Sequence, residues 1–426
     1  MEQKNTFSGL DRQREIYLRG ISGITPKIPT RYIDLQKAAK RAMTDRAFGY
    51  IAGGAGSERT IDRNQKALAE WLIQPRMLRN VASRDLSINL FGRKYASPFF
   101  LSPIGVLEMA HKQADLAVGR AAASLGIPYI FSNQASIEME RTSAAMGQSP
   151  RWFQLYWSKS YDLVESLVSR AESCGCEAIV VTLDTTLLGW RPRDLDLANL
   201  PFLQGKGIAQ YTSDPVFQRL MEQEQPAPEG PRRRLTFEMI GNIISLLSRY
   251  PEPFFTNLTS GRPLKAVRTF INIYTNPALH WGDLTFLRER TKLPIVLKGI
   301  LHPEDAKMAI DHGVDGILVS NHGGRQVDGS VSSIEMLPSI LEAVRGQIPV
   351  LLDSGVRSGA DALKAIALGA KAVGIGRPYA YGLAVDGQAG VEAVLKNFLA
   401  EFDLSMGLVG TKSIDELSPA MLRREP

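Results

Sequence analysis

The sequence contains few of the features that mark membrane, secreted or metal-binding proteins. No apolar run reaches about 18 residues, so we expect no membrane-spanning helix. The polar N-terminus has no apolar signal core, which favours a cytoplasmic protein. The two cysteines, Cys174 and Cys176, are too close for an easy disulfide and have no partners for a zinc site. We therefore expect two buried thiols in a reducing compartment and no bound metal.

The charge pattern also lacks the signs of a nucleic-acid-binding protein. The formal net charge of the 426 residues is +6, and the basic residues are dispersed apart from Arg232, Arg233 and Arg234. No basic stripe is interleaved with aromatic residues, as a nucleic-acid surface would require. A mild positive excess is explained equally well by an anionic cofactor or substrate, and we expect no nucleic-acid partner.

The hydrophobic pattern predicts eight short strands that alternate with amphipathic helices. The strands are predicted at 98–101, 128–131, 152–156, 179–183, 295–297, 317–319, 350–352 and 373–375, with helices at 114–125, 162–174, 303–311, 333–344 and 360–368. Eightfold alternation of this kind is typical of an α/β (β/α)₈ TIM barrel. The alternative, a doubly wound open sheet, is disfavoured because no GxGxxG motif opens a first βαβ unit.

Two regions lie outside the count of eight. Residues 1–90 form an N-terminal helical extension and cap, and an insert at about 195–280 follows the fourth strand. Residues 91–405 are assigned to the barrel and 406–426 to a C-terminal tail. The insert is rich in proline and charge, so we expect residues of about 205–275 to form a mobile lid. Its apolar segment 239–247 indicates a short packed helix, with membrane or subunit contact as the alternative.

Polar residues follow nearly every predicted strand, where barrel enzymes carry their working groups. Small residues that would let a flat ligand approach the backbone follow the first strand at Pro103, Ile104 and Gly105. The other strand ends carry Ser132, Gln154, Tyr156, Thr182, Asp184, Arg191, Lys298, Ser320, His322, Arg325, Asp353, Ser354, Gly355, Val356, Arg357, Gly376 and Arg377. Any one of these residues could be structural, but eight polar strand ends together indicate a site.

The motif SNHGGRQ at 320–326 is the most informative of these strand ends. It places His322 three residues before Arg325 on a glycine-rich turn after an apolar strand. Histidine is the usual proton acceptor near neutral pH, and arginine holds a carboxylate through two parallel hydrogen bonds. The pattern predicts a base and an anion-binding residue that act on one small anionic ligand.

The last two strand ends are rich in glycine, and each carries an arginine. Barrels commonly bind a phosphate group at this place with backbone amides and a cation. Lys298 beside a flat ring would stabilise negative charge on that ring after reduction. Since no dinucleotide motif is present, these features favour FMN over NAD or FAD.

From about residue 50 to 405 the chain resembles the FMN-dependent L-2-hydroxy acid oxidase/dehydrogenase family, which includes glycolate oxidase and lactate oxidase. The shared motifs are SNHGGRQ at 320–326, FQLY at 153–156, TLD at 182–184, LKG at 297–299, DSGVR at 353–357 and GIGRP at 374–378. Within this family, the stretch GWRPRDL at 189–195 and the segments after it are most similar to lactate 2-monooxygenase.

The resemblance implies a role for each motif residue. Tyr50 and Arg325 would bind the substrate carboxylate, Tyr156 and Arg191 would contact the substrate's oxygens, and His322 would be the base supported by Asp184. The residues expected to line the flavin ring and ribityl chain are Pro103, Ile104, Gly105, Ser132, Gln154, Thr182, Lys298 and Ser320. Those expected to hold the ribityl and phosphate groups are Asp353, Ser354, Gly355, Val356, Arg357, Gly376 and Arg377. Tyr50 is assigned through the resemblance alone.

The chain departs from the family pattern at three places. Gly105 stands where many family oxidases have alanine, Asn133 and Gln134 replace a more usual pair, and the insert is longer than in a lactate enzyme. These departures favour a 2-hydroxy acid larger than lactate, with an aromatic or long alkyl side chain.

The sequence predicts oxidation of an L-2-hydroxy acid by FMN with dioxygen as the acceptor. The products would be a 2-oxo acid and peroxide or, as in lactate 2-monooxygenase, the decarboxylated acid. One alternative is a dehydrogenase that uses a quinone or a protein acceptor, although no haem-binding domain is visible. A non-catalytic flavin-binding scaffold is the other, but a scaffold would not need His322, Asp184 and Arg325. We also expect a homotetramer or larger homo-oligomer.

Overall fold

The computed structural model describes residues 8–223 and 236–425. Its strands are β1 (Trp71–Ile73), β2 (Ile88–Leu90), β3 (Arg93–Tyr95), β4 (Phe99–Leu101), β5 (Tyr129–Phe131), β6 (Arg151–Leu155), β7 (Ile179–Thr182), β8 (Ile295–Ile300), β9 (Gly316–Val319), β10 (Val350–Leu352), β11 (Val373–Ile375) and β12 (Leu422–Arg424). Strands β4 to β11 pair in parallel and close into an eight-stranded barrel. The predicted (β/α)₈ barrel is therefore confirmed.

The helices in the first half of the chain are α1 (Gly9–Ile21), α2 (Tyr32–Ala42), α3 (Asp45–Ala52), α4 (Arg59–Ala69), α5 (Ala114–Ser124), α6 (Met139–Met146), α7 (Tyr161–Ser173), α8 (Pro192–Asp196), α9 (Ala209–Thr212) and α10 (Pro215–Glu222). Those in the second half are α11 (Phe237–Arg249), α12 (Phe254–Ser260), α13 (Arg262–Ile273), α14 (Asp283–Arg290), α15 (Pro303–Asp311), α16 (Ser333–Val344), α17 (Gly359–Leu368) and α18 (Arg377–Val409), which is kinked at Asp386 and Gly387. None of the helices in the described ranges is long and apolar enough to span a membrane.

The strand bounds differ from the predicted ones by a few residues at most. The largest difference is in β8, which continues past the predicted end to Ile300 with a register shift between Lys298 and Ile300. The irregularity lies at Gly299, which has a φ of +106°. The hydrophobic pattern did not predict the last three residues of the strand, because Lys298 and Gly299 interrupt the apolar run.

The barrel interior is filled at its N-terminal end by large apolar side chains. Phe100, Trp152 and Leu318 point inwards from different strands and are almost fully buried. The hairpin of β2 and β3 closes this end, where Tyr95 meets the ring of Trp152 edge to face. The packed end leaves the C-terminal ends of the strands as the place for a ligand.

The N-terminal extension and the C-terminal residues are joined to each other and to the barrel. Helices α1 and α2 pack on α18, and β1 pairs with β12. The predicted barrel end at residue 405 lies inside α18, which runs to Val409. The extension thus brings α3 and α4 over the open end of the barrel, where they contact the turn after β9.

The insert between β7 and β8 contributes buried aromatic residues of its own. Tyr211, Phe217 and Phe270 are fully buried, and the ring of Tyr211 packs edge to face against the rings of both Phe217 and Phe270. These buried rings join α9, α10 and α13 to one another, and the mobile lid over about 205–275 stays a prediction. The sequence features at Pro226, Pro228, Pro231 and the arginines at 232–234 lie outside the described residues.

Candidate active site

The turn after β9 carries His322 in a left-handed backbone conformation. His322, Gly323 and Gly324 have φ values of +57°, +64° and +76°. A side chain at 324 would place its Cβ 2.8 Å from atoms of Ile61 in α4, so glycine is required there for close approach. Asn64 of α4 and Asn321 fix the turn by a reciprocal pair of amide hydrogen bonds of 2.9 and 2.7 Å. A non-glycine residue held in this conformation indicates a position fixed for function.

His322 forms a short contact with a buried carboxylate. Its Nδ1 lies 2.7 Å from Oδ1 of Asp184, which also accepts a 2.9 Å hydrogen bond from the hydroxyl of Thr185. The carboxylate fixes the proton on Nδ1 and leaves Nε2 unprotonated. Burial lowers the pKa of His322, and the Asp184 carboxylate partly offsets that effect. The imidazole is therefore a neutral proton acceptor at neutral pH.

Lys298 supplies the positive charge that keeps Asp184 ionised. Burial alone would raise the pKa of Asp184, but His322 and Lys298 hold it well below its ordinary value. Since a neutral imidazole carries no charge, we assign this effect at neutral pH to Lys298, whose Nζ is 3.6 Å from Oδ2. Burial opposes the charge on Lys298 as well, but Asp184 and Asp353 together raise its pKa.

Arg325 lies at the same end of the barrel, in contact with the extension. Its Nη1 donates to the carbonyl oxygens of Tyr50 and Gly53, and its guanidinium lies 5.0 Å from the ring centre of Tyr50. Burial, followed by the charge of Arg191, lowers the pKa of Arg325 to about 9. A partly buried cation whose bonds go to neutral carbonyls is stabilised by any anion that binds beside it.

Two further arginines hold the walls of the site together. Arg191 donates to the carbonyl oxygen of Arg325 at 3.1 Å and to Oε1 of Gln326 at 2.9 Å. Arg377 donates to the carbonyl oxygens of Ile51, Gly323 and Gly53, so its side chain ties α3 to the turn after β9. The Arg377 side chain thus already donates to three carbonyl oxygens.

These residues line one cavity of about 980 Å³, at the upper end of the range for ligand sites. The predicted residues on its wall are Tyr50, Pro103, Ile104, Gly105, Gln154, Tyr156, Arg191, Lys298, His322, Arg325, Asp353, Ser354, Gly355, Val356, Arg357, Gly376 and Arg377. Four others lie one side chain behind the wall and bond to wall residues. These are Ser132 and Thr182, which contact Gln154, Ser320, which contacts Lys298, and Asp184.

Gly105 and Gln134 make one wall of the cavity close-packed. A Cβ at 105 would lie 3.0 Å from Cβ of Gln134 and 3.1 Å from its carbonyl oxygen. The small residue therefore lets the chain after β4 approach the chain after β5, and it leaves a smooth backbone surface on the cavity side. The close atoms at 134 are Cβ and the backbone oxygen, so the approach of the two chain segments, and not the glutamine side chain, favours glycine at 105.

The end of the cavity near β10 and β11 fits a phosphate group. Nε of Arg357 is buried and has no hydrogen-bond acceptor among the described residues. Gly376 beside it has open space where a side chain would stand, and it directly precedes the N-terminus of α18. A buried unpaired guanidinium nitrogen, a glycine and a helix N-terminus are the groups that bind phosphate in other barrels. The residues present thus fit the phosphate of FMN.

Several wall residues were missed by the sequence analysis. Leu188, Phe202 and Tyr274 form an apolar part of the cavity, and the last two come from the insert. In the sequence, the only signal was that the insert begins just after the strand end that carries Asp184. This position shows where the insert starts, but it does not show which of its side chains reach the cavity. Thr185 and Gln326 were also missed; Gln326 donates to the carbonyl oxygens of Asp184 and Leu187.

The comparisons with known proteins agree with this geometry. Residues 39–424 match the family model described as FMN-dependent dehydrogenase. The chain is 43% identical to an L-lactate oxidase of Lysinibacillus sphaericus, with 95% of each chain covered, and 38% identical to 2-hydroxyacid oxidase 1 of Homo sapiens, with 92% and 96% covered. The fold is similar to that of a crystal structure of mandelate oxidase with (S)-4-hydroxymandelic acid, with a TM-score of 0.76 and 36% identity. The match covers 93% of this chain and 98% of the mandelate oxidase chain.

Proposed function

Because the chain belongs to the FMN-dependent dehydrogenase family, and is thus an FMN-dependent oxidoreductase, we propose that it oxidises an L-2-hydroxy acid at the α-carbon with dioxygen as the electron acceptor. The observation that carries this proposal is the pair of His322 and Asp184 at 2.7 Å, which faces the same cavity as the partly buried cation Arg325. A base and a carboxylate-binding residue on one wall are what a 2-hydroxy acid requires.

FMN would lie along the strand ends, with its phosphate at Arg357 and the start of α18 and its ring near Gly105 and Lys298. When bound, FMN supplies the two-electron acceptor for the reaction. Lys298 is charged and buried, so it favours negative charge that develops beside it. The positive charge that the site needs is therefore already in place before any substrate binds.

The substrate carboxylate would bind to Arg325 and Tyr50. A carboxylate restores the charge balance around Arg325 and can take two parallel hydrogen bonds from it. With the carboxylate fixed, the α-hydroxyl faces Nε2 of His322, which takes its proton. Asp184 stabilises the imidazolium that results. The fixed position of the substrate relative to the base contributes several kcal/mol to catalysis, of the order of 7 or more in favourable cases.

The substrate's side chain would lie against Leu188, Phe202 and Tyr274. These side chains offer apolar and aromatic contacts and no charge, so we propose an alkyl or aryl 2-hydroxy acid. The crystal structure of mandelate oxidase with an aromatic hydroxy acid supports this choice by analogy, and the similar L-lactate oxidase supports a small alkyl one. The cytoplasmic location and the homotetramer or larger assembly stay predictions from the sequence.

Oxygen consumption and peroxide yield on a panel of L-2-hydroxy acids test the function. An oxidase forms one peroxide and one 2-oxo acid for each dioxygen, whereas a monooxygenase forms carbon dioxide, water and the shortened acid. Either result supports the proposed activity. If the acid reduces the flavin but no oxygen is consumed, the electron acceptor is a quinone or a protein and not dioxygen. If no acid of the panel reduces the flavin, the proposal is contradicted.

A further inference from the structure

Ser354 has a backbone conformation that a residue with a side chain disfavours. It follows Asp353 at the end of β10, and its φ is +76°. Glycine fits this left-handed region without strain, whereas a Cβ makes it costly. The next residue, Gly355, must be glycine, because a Cβ there would lie 2.8 Å from the carbonyl oxygen of Asn64. A serine at 354, where glycine would fit more easily, indicates that the side chain has a function.

The hydroxyl of Ser354 bonds to the turn that carries the base. The parallel pairing of β9 with β10 brings the ends of these two strands side by side. Oγ of Ser354 accepts from the backbone N–H of Asn321 at 3.3 Å and from that of Gly323 at 3.0 Å. Asn321 and Gly323 are the residues directly before and after His322, so one hydroxyl holds the backbone on both sides of the base.

The protein itself uses every hydrogen bond that this hydroxyl can form. Since a carboxylate oxygen only accepts, the hydroxyl proton points to Oδ1 of Asp353, which is 3.0 Å away. A hydroxyl has one proton and two lone pairs, and the two backbone amides of the turn take both lone pairs. The side chain of Ser354 therefore has no bond left for the ribityl or phosphate group, although the residue lies on the cavity wall.

Arg325, at the other end of the turn, is held by residues other than Ser354. Its carbonyl oxygen accepts from Nε of Arg191 at 3.1 Å, and its Nη1 donates to the carbonyl oxygens of Tyr50 and Gly53. Ser354 thus contacts the part of the turn that carries the base, and not the part that binds the substrate carboxylate. A change at Ser354 should therefore affect proton transfer more than it affects binding of the acid.

We propose that Ser354 is a positioning residue for the base, an inference that rests on the function proposed above. By holding the two amides beside His322, its hydroxyl keeps Nδ1 of that imidazole 2.7 Å from Oδ1 of Asp184, so that Nε2 faces the α-hydroxyl of the substrate. A displacement of about 1 Å in an active site can slow a reaction about a hundredfold. Loss of the Ser354 hydroxyl should therefore slow the reduction of the flavin.

The test compares Ser354→Gly and Ser354→Ala with the native protein, each saturated with FMN, by rapid-mixing kinetics in the absence of oxygen. The reductant is whichever of L-lactate and (S)-mandelate reduces the native flavin faster. The limiting rate constant of reduction should fall about tenfold or more in both variants. The Kd of the acid should change by less than about threefold, because Arg325 keeps its own hydrogen bonds.

The two variants also separate positioning from stability. Both lack the hydroxyl, but only glycine relieves the strain of the positive φ, so Ser354→Gly should unfold at a higher denaturant concentration than Ser354→Ala. Similar slow reduction in two proteins of different stability assigns the loss to the hydroxyl. Ser160→Ala is the control, since it removes a serine hydroxyl that accepts from the N–H of Leu163 at the start of α7, away from the cavity wall. It should be reduced at the native rate.

Reduction of Ser354→Gly or Ser354→Ala at the native rate would overturn the proposal. So would a Kd that rises as much as the rate constant falls, because the whole cavity would then be disturbed. A rate constant in Ser160→Ala as low as in the Ser354 variants would overturn it as well. In each of these cases the native protein is reduced and the proposed function stands. If no acid of the panel reduces the native protein, the proposed function fails and this inference fails with it.

Discussion

At the scale of single residues, the chemistry depends on how buried charges compensate one another. His322 has a lowered pKa because it is buried, Asp184 stays ionised beside Lys298, and Arg325 is a cation with neutral partners. The base is therefore free to accept a proton, and the anion-binding residue is left for the substrate. Each of these states depends on a neighbour that can be changed by mutation.

Asp184→Asn should change the pH dependence of turnover as well as its rate. In the native enzyme, kcat/KM should fall at low pH only below about 6.5, the ordinary pKa of histidine, because the pKa of His322 is lowered. It should be constant from there until the pH approaches about 9, where Arg325 loses the charge that binds the substrate, since its pKa is about 9. The Asp184 carboxylate raises the pKa of His322, so its loss should move the fall at low pH to lower pH and reduce the plateau. Measured pH profiles of the two proteins test this, and an unshifted profile in Asp184→Asn would argue against the pair.

Arg325→Lys should raise KM for the hydroxy acid strongly, because lysine cannot offer two parallel hydrogen bonds. It would also lose the bond of Arg325 to the carbonyl oxygen of Gly53. Tyr50→Phe is the matched comparison, since one neutral hydrogen bond contributes roughly 0.5–1.5 kcal/mol. Steady-state kinetics of both variants should show the larger KM change at 325, and similar small changes would mean that the carboxylate binds elsewhere.

At the scale of elements, the active site is held between the turn after β9 and helices of the extension and the insert. The turn is fixed by its contact with α4, and Phe202 and Tyr274 bring the insert to the cavity. A local change in either contact should therefore act on the site without a change in any group that takes part in the reaction.

Gly324→Ala should destabilise the enzyme more than Gly329→Ala does. Both glycines have a positive φ, +76° and +75°, so both substitutions carry a backbone cost of roughly 1–2 kcal/mol. Only at 324 does the added Cβ collide with Ile61, whereas nothing lies within 4 Å at 329. Denaturant unfolding of the FMN-bound variants measures the difference. Equal losses of stability would show that the contact with α4 is not tight.

Tyr274→Ala should widen the apolar wall and shift the preference of the enzyme towards bulkier 2-hydroxy acids. The Tyr274 ring stacks on Phe270 with centres 4.7 Å apart, so its removal opens the cavity without a new charge. Phe255→Ala removes an aromatic ring in the insert that is 80% exposed, and it should leave the preference unchanged. The ratio of kcat/KM for an aryl and a small alkyl acid in each variant is the measurement; the same ratio in all proteins would exclude Tyr274 from specificity.

At the scale of the whole molecule, the sequence predicted what depends on local pattern and missed what depends on long-range packing. The eight strands and the residues after them follow from hydrophobic runs with polar ends, so the barrel and the group around His322 could be predicted. Tyr50 lies far from the other site residues in the chain, and only resemblance assigned it. Tyr274 and Phe202 could not be placed, because the return of the insert to the cavity is decided by the burial of Phe217 and Phe270.

The reduction of bound FMN by a hydroxy acid in the absence of oxygen tests the central claim most directly. An L-2-hydroxy acid should bleach the flavin absorbance of the native protein, and its D-enantiomer should not. In His322→Ala, FMN should stay bound, because the groups proposed to hold its phosphate, Arg357 and the start of α18, are unchanged, but reduction should slow by about two to four orders of magnitude. Reduction of that variant at the native rate, with FMN retained, would contradict the assignment of His322 as the base and of this cavity as the site of oxidation.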